Sequence, residues 1–198
     1  SQASISKFVN KASLTINIAA GTYHIPKQLE TNNPYMQYVT IAGNNSAPQK
    51  VALVFDITTT TAPNGGAFVI LDGGRLGRIS GVTITRPPGD VDLSSGDFST
   101  RTSAVWETAF TGIVAVDNVD VGDILDCIIT NFYTGVNVDR DSSLFMNGTT
   151  IQNYKYGVMA TRNSAVLVIN STLTRGSSSD VRSTGIHSES GSSVYLNG

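Results

Sequence analysis

The chain has 198 residues, enough for one large domain or one long run of repeats. Hydrophobic residues make up 40% and charged residues only 14%, against roughly 25% charged in an average soluble protein; Ser, Thr, Asn and 19 Gly fill the difference and disfavour long helices. A formal net charge of −2 without a basic patch argues against a nucleic-acid partner or an anionic membrane surface, and no apolar run is long enough for membrane insertion.

In chain order, Ser1-Gln2-Ala3-Ser4 has neither an initiator Met nor an apolar signal core, so the sequence is expected to be a piece of a longer polypeptide. Residues 1–76 form the less regular opening. Ser13–Ile25 is predicted as strand, tight turn and strand, followed by strands at Val39–Ala42, Val51–Phe55 and Ala67–Leu71, with a loop from Thr58 to Gly66. Residues 77–198 repeat. Ile79, Ile124, Met146, Val168 and Leu196 each sit in a short stretch of alternating apolar residues, and Ile84, Ile129, Ile151 and Leu173 close the first four of these stretches. Ile129 to Ile151 is 22 residues, as is Ile151 to Leu173. In these alignments Gly122 falls opposite Leu144. A second short strand follows Gly112, Gly135, Gly157 and Gly185. Same-direction strands every 22 residues or so, with no helix between them, predict an all-β parallel solenoid in which each coil covers its neighbour. Insertions at 85–111 and 174–184 fall at one turn, where solenoids often carry a binding face.

Stacking makes further demands. Asn131 and Asn153 occupy equivalent turn positions and are expected to hydrogen-bond along the stack. Asp117 and Arg140 each lie five residues after their glycine and are expected to meet across the roughly 4.8 Å between strands. Cys127 is the sole cysteine; it falls in the column Val82, Cys127, Thr149, Ser171 and reads as a small buried hydrophobe. Val194–Gly198 reads as the start of another coil.

The segment Leu14-Thr15-Ile16-Asn17-Ile18-Ala19-Ala20-Gly21-Thr22-Tyr23, with Val39-Thr40-Ile41-Ala42-Gly43 after it, resembles the opening coils of the pectate-lyase-like superfamily. The later coils are similar to the bodies of phage tailspikes and of polysaccharide lyases and hydrolases. The resemblance implies a single right-handed parallel β-helix over 1–198. It also implies a virion-tail or secreted location, homotrimeric assembly, and either recognition of a cell-surface glycan or its cleavage. A rigid adhesin spacer is the third reading. No signature active-site motif of the superfamily's enzymes is present, so no catalytic position carries over.

Glycoside hydrolysis needs two carboxylates facing one groove. The best local cluster is Asp139-Arg140-Asp141, with Asp117 and Asp120 on the preceding coil. Asp139 and Asp141 are the catalytic candidates, and a turn edge rich in Asp and Asn is the competing and favoured reading. Sugars stack their C–H faces on aromatic rings while their hydroxyls take charged partners. That chemistry points to Trp106, Arg101 and Glu107 in the longer insertion, and to Phe132, Tyr133, Tyr154 and Tyr156 at the short form of the same turn, an expected aromatic column with three equal readings: glycan binding, packing under the insertion, or packing against another subunit. His187 reads as an exposed strand residue despite the Ser188-Glu189-Ser190 that follows it. No metal-ligand spacing or cofactor motif appears, so neither metal nor cofactor is expected.

Overall fold

Among the described residues the alternation of apolar and polar residues is realised as seventeen strands. The computed structural model describes residues 13–87, 110–174 and 183–198. Within them the strands are β1 (Leu14–Asn17), β2 (Gly21–Ile25), β3 (Leu29–Thr31), β4 (Val39–Ala42), β5 (Val51–Phe55), β6 (Gly66–Leu71), β7 (Arg75–Ser80), β8 (Thr83–Thr85), β9 (Thr111–Val116), β10 (Asp120–Leu125), β11 (Ile128–Asp139), β12 (Ser143–Asn147), β13 (Thr150–Thr161), β14 (Ala165–Ile169), β15 (Thr172–Thr174), β16 (Thr184–Ser188) and β17 (Ser193–Asn197). Two short 3-10 turns, Pro34–Tyr38 and Pro48–Lys50, each begin on a proline, which tolerates the unbonded first position.

Among the described residues every strand pairing in the two sheets is parallel, and the fold is all-β. The first sheet runs β1-β4-β7-β10-β12-β14-β17. In the second, the twelve-residue strands β11 and β13 each do the work of two strands: β11 pairs with β8 through Ile128–Thr130 and with β9 through Thr134–Asp139. The opening residues join the same sheets in the same order, β2 on β5, β5 on β8, β3 on β6 and β6 on β9. The sequence missed only β3, whose Leu29-Glu30-Thr31 is too short to show a period.

The predicted columns are present. Ile41, Ile79, Ile124, Met146, Val168 and Leu196 are partners in succession, as are Leu53, Ile84, Ile129, Ile151 and Leu173. Central members such as Ile79, Ile124 and Ile129 are 0% exposed, whereas Ile16 at one end is 46% and Leu196 at the other 62%. Each fully covered side chain contributes roughly 1.5–3 kcal/mol by leaving water, so stability comes from the neighbouring repeat. The recurring glycine has a steric cause. A Cβ at Gly112 would lie 2.6 Å from the Gly135 carbonyl oxygen, one at Gly135 2.7 Å from that of Gly157, and one at Gly157 2.5 Å from that of Gly185.

Polar residues inside the stack serve backbone groups at the turns. Ser142, Ser164 and Ser192 form a ladder in which each hydroxyl oxygen accepts the amide one repeat earlier, from Val119, Ser142 and Ser164. Thr149 and Ser171 do the same for Cys127 and Thr149. Cys127 is buried in this column, and burial pushes its thiol up to about 12. Asn153 donates to Asn131 at 3.2 Å, and Asn131 donates to the Thr85 hydroxyl at 3.1 Å, so the asparagine ladder extends one repeat further back than the sequence indicated.

One alignment is corrected. Val121, not Gly122, pairs with Leu144, and Asp123 pairs with Phe145, so Gly122 is an extra residue in β10. β7 shares the bulge, because Leu76 and Arg78 pair with Val121 and Asp123. A Cβ at Gly122 would stand 2.0 Å from the Gly77 carbonyl oxygen. Only glycine fits where two bulged backbones approach this closely.

Candidate functional site

The predicted catalytic cluster lies on a ridge of turns joining the second sheet to the first. Asp117-Asn118, Arg140-Asp141 and Arg162-Asn163 are consecutive pairs in the left-handed region, with φ from 51° to 70°. Asp and Asn tolerate that region better than other side chains. The amides of Asn118, Asp141 and Asn163 donate to the carbonyls of Arg140, Arg162 and Ser190 at 2.9–3.0 Å.

Side chains stitch the same ridge. Arg140 donates to both carboxylate oxygens of Asp117 at 2.9 Å, the predicted cross-repeat contact, and that hydrogen bond raises the Arg140 guanidinium further above its ordinary range. Asp139 is 5% exposed; it accepts from the Thr161 hydroxyl at 2.7 Å and from Arg162 Nε at 2.7 Å, with a second, shorter bond from the same guanidinium. Asp141 accepts from Asn163 Nδ2 at 2.6 Å. Both catalytic candidates are thus engaged in joining repeats, the arrangement of a turn edge rather than of an acid and a base facing a substrate.

The aromatic column is present, and two of its rings are packed inward. Phe132 and Tyr154 are paired neighbours, but they are 1% and 3% exposed and belong to the hydrophobic core. Burial pushes the Tyr154 phenol up. Neither ring can stack on a sugar from there. Tyr133 and Tyr156 are buried outside that core, with ring centroids 5.8 Å apart, and the His187 ring lies 6.1 Å beyond Tyr156. His187 contacts Glu189 at 3.2 Å, while the Ser188 hydroxyl donates to the Ser192 carbonyl, so no Ser–His relay forms. Trp106, Arg101 and Glu107 lie outside the described residues.

The chemistry sought in those aromatics occurs on the outer face of the first sheet. Alternate residues of its strands point outward, and one outward column runs Arg78, Asp123, Phe145, Leu167, Tyr195. The neighbouring column runs Arg75, Asp120, Ser143, Ala165, Ser193. The bulge at Gly122 marks the change from ionic to apolar. On one side Arg75 pairs with Asp120 at 3.1 Å and Arg78 with Asp123 at 2.6 Å. On the other, Phe145, Leu167 and Tyr195 are successive outward neighbours, and Leu167 is 38% exposed.

Asp120, Asp123, Phe145, Leu167 and Tyr195 line a groove of about 360 Å³, within the roughly 300–1,000 Å³ of small-ligand sites. Asp120, which accepts from Arg75 and Ser143, and Asp123, which accepts from Arg78, place ion-paired carboxylates beside aromatic and aliphatic surface, and surfaces of that mixed kind can take a pyranose ring by its C–H face and its hydroxyls. The sequence signal for this column was present in the aligned repeats, at the outward positions between the core residues.

No protein-family model matches the chain, no curated protein matches it, and no solved structure matches it.

Proposed function

We propose that the chain is a right-handed parallel β-helix that recognises carbohydrate at a cell surface, as a phage tailspike or tail-fibre-like appendage does, and that it binds its glycan without cleaving it. The helical part of the reading is supported by the one-directional pairing of the seven strands in the first sheet and by strands that fall in the same order repeat after repeat. The functional part rests on one observation: the outward platform of Phe145, Leu167 and Tyr195 beside the ion-paired Asp120 and Asp123. Binding is preferred to cleavage because Asp139 and Asp141 are tied to the next repeat, and because Asp120 and Asp123 each hold an arginine. The same reading carries a homotrimer and a virion-tail or secreted setting, which sedimentation equilibrium and localisation of the protein test.

The deciding experiment is to titrate the protein with capsular, O-antigen and pectic polysaccharides while following absorbance at 235 nm and the release of reducing ends. Saturable binding without product is expected. Replacing Tyr195 by Ala should weaken that binding about tenfold, since loss of a stacked ring is worth ~1.4 kcal/mol. Release of unsaturated or reducing product would instead favour a lyase or hydrolase, and absence of any binding would favour a spacer.

A further inference from the structure

A second groove lies on the other side of the turn ridge. It has a volume of about 470 Å³ and is walled by the loop around Asn64 and by Val114, Val116, Asn137 and Arg140. Its loop wall is held in place. Asn64 donates to Glu30 at 2.8 Å and its amide to Gln28 at 3.2 Å, while the Gln28 amide donates to the Thr61 carbonyl. Asn137 lines this wall, and its Oδ1 lies buried behind it with no hydrogen-bond partner among the described residues. A buried acceptor left in that state is the exception in a folded protein and suits a donor arriving with a ligand.

The two grooves are close. Asp139 lines this one and Ser143 the groove on the first sheet, and Val116 and Asp120 are divided the same way. Four residues separate the members of each pair, so the two linings approach within about 14 Å across the ridge. Charge narrows what can bridge them. Arg75, Arg78, Arg140 and Arg162 are matched by Asp120, Asp123, Asp117 and Asp139. On the ridge between them, Asp141 adds a carboxylate whose side-chain partner among the described residues is the Asn163 amide. Among the described residues lining the grooves, no cation is left uncommitted to meet a uronate or sialate.

We infer that the ligand is an uncharged linear oligosaccharide that crosses the ridge, with one unit on the Tyr195 platform and another in the groove at Asn137. This rests on the carbohydrate reading above and adds to it a class and a minimum length. The second groove then acts as a tethered subsite, and tethering multiplies affinity without any new contact in the first.

The test is a microarray of neutral hexose and N-acetylhexosamine oligosaccharides, graded from disaccharide to octasaccharide, beside uronate- and sialate-containing counterparts. It is probed with wild type, Asn137→Ala and Val116→Trp at low and high salt. Wild type should prefer neutral chains, gain at least ~10-fold in affinity with length, and keep that affinity in high salt. Each variant should bring the long-chain affinity down to the short-chain value, and the bulky Val116→Trp does so by filling the groove even if Asn137→Ala disturbs packing. Affinity that is flat with length, insensitivity to both variants, or preference for acidic glycans overturns the inference and leaves the carbohydrate reading standing. Failure of the wild type to bind any glycan overturns both.

Discussion

Replacing Asp139 separates a structural role from a catalytic one. Its carboxylate is 5% exposed and accepts from Thr161 and, twice, from Arg162. Asp139→Ala removes these bonds and leaves Thr161 and a guanidinium to find other partners. Breaking a fully buried pair costs about 3–5 kcal/mol, but the Arg162 side chain is 56% exposed and can rehydrate, so about 2 kcal/mol is the reasonable loss. For a domain of this size that lowers Tm by roughly 4–8 °C. Asp139→Asn keeps the shape and an acceptor for Thr161, and should lose about half as much. Thermal and urea unfolding give the stability, and glycan binding to the folded variant gives the function. The account requires a lower Tm with binding retained. An unchanged Tm together with loss of a polysaccharide-cleaving activity would refute it.

Gly122→Ala places a Cβ 2.0 Å from the Gly77 carbonyl oxygen; backbone must move, and urea unfolding should show a loss of about 3 kcal/mol. Asn153→Ala removes the 3.2 Å bond to Asn131 and leaves alanine at a φ of 52°, for an expected loss of about 2 kcal/mol by the same assay. Cys127 gives a pH signature. Burial pushes its folded thiol up to about 12 from an ordinary 9.0, so above pH 9 the unfolded chain has released a proton that the folded chain keeps. Stability should therefore be unaffected by this group below pH 9 and fall by about 1.4 kcal/mol per pH unit above it, up to pH 12. Cys127→Ala should remove that part of the slope, measured as the difference between the two urea midpoints at each pH.

Much of the fold was readable because stacking imposes a strict repeat. The columns through Ile124 and Ile129, the glycine column, the Asn131–Asn153 ladder and the Asp117–Arg140 pair all follow from equal spacing between neighbouring repeats. The bulge at Gly122 was hidden because one extra residue in both β7 and β10 preserves the spacing between them and shifts it only against β12. The inward turn of Phe132 and Tyr154 has a related cause. Strict alternation from Ile129 sends Tyr133 inward, but Asn131 adopts a φ of 61°, which turns the chain by one position and sends Phe132 inward instead. Asn153 does the same for Tyr154, at a φ of 52°. The sequence points to aromatics at a turn, whereas the outward apolar column lies in mid-strand, where Leu167 and Tyr195 alternate with core residues and do not stand out from them in an apolar stretch.

The most direct measurement is an NMR titration of the isotopically labelled protein with the best-binding glycan from the array. The account predicts that signals of Phe145, Leu167 and Tyr195 shift together and saturate with the binding curve. Shifts that leave these three residues untouched while binding saturates would contradict it.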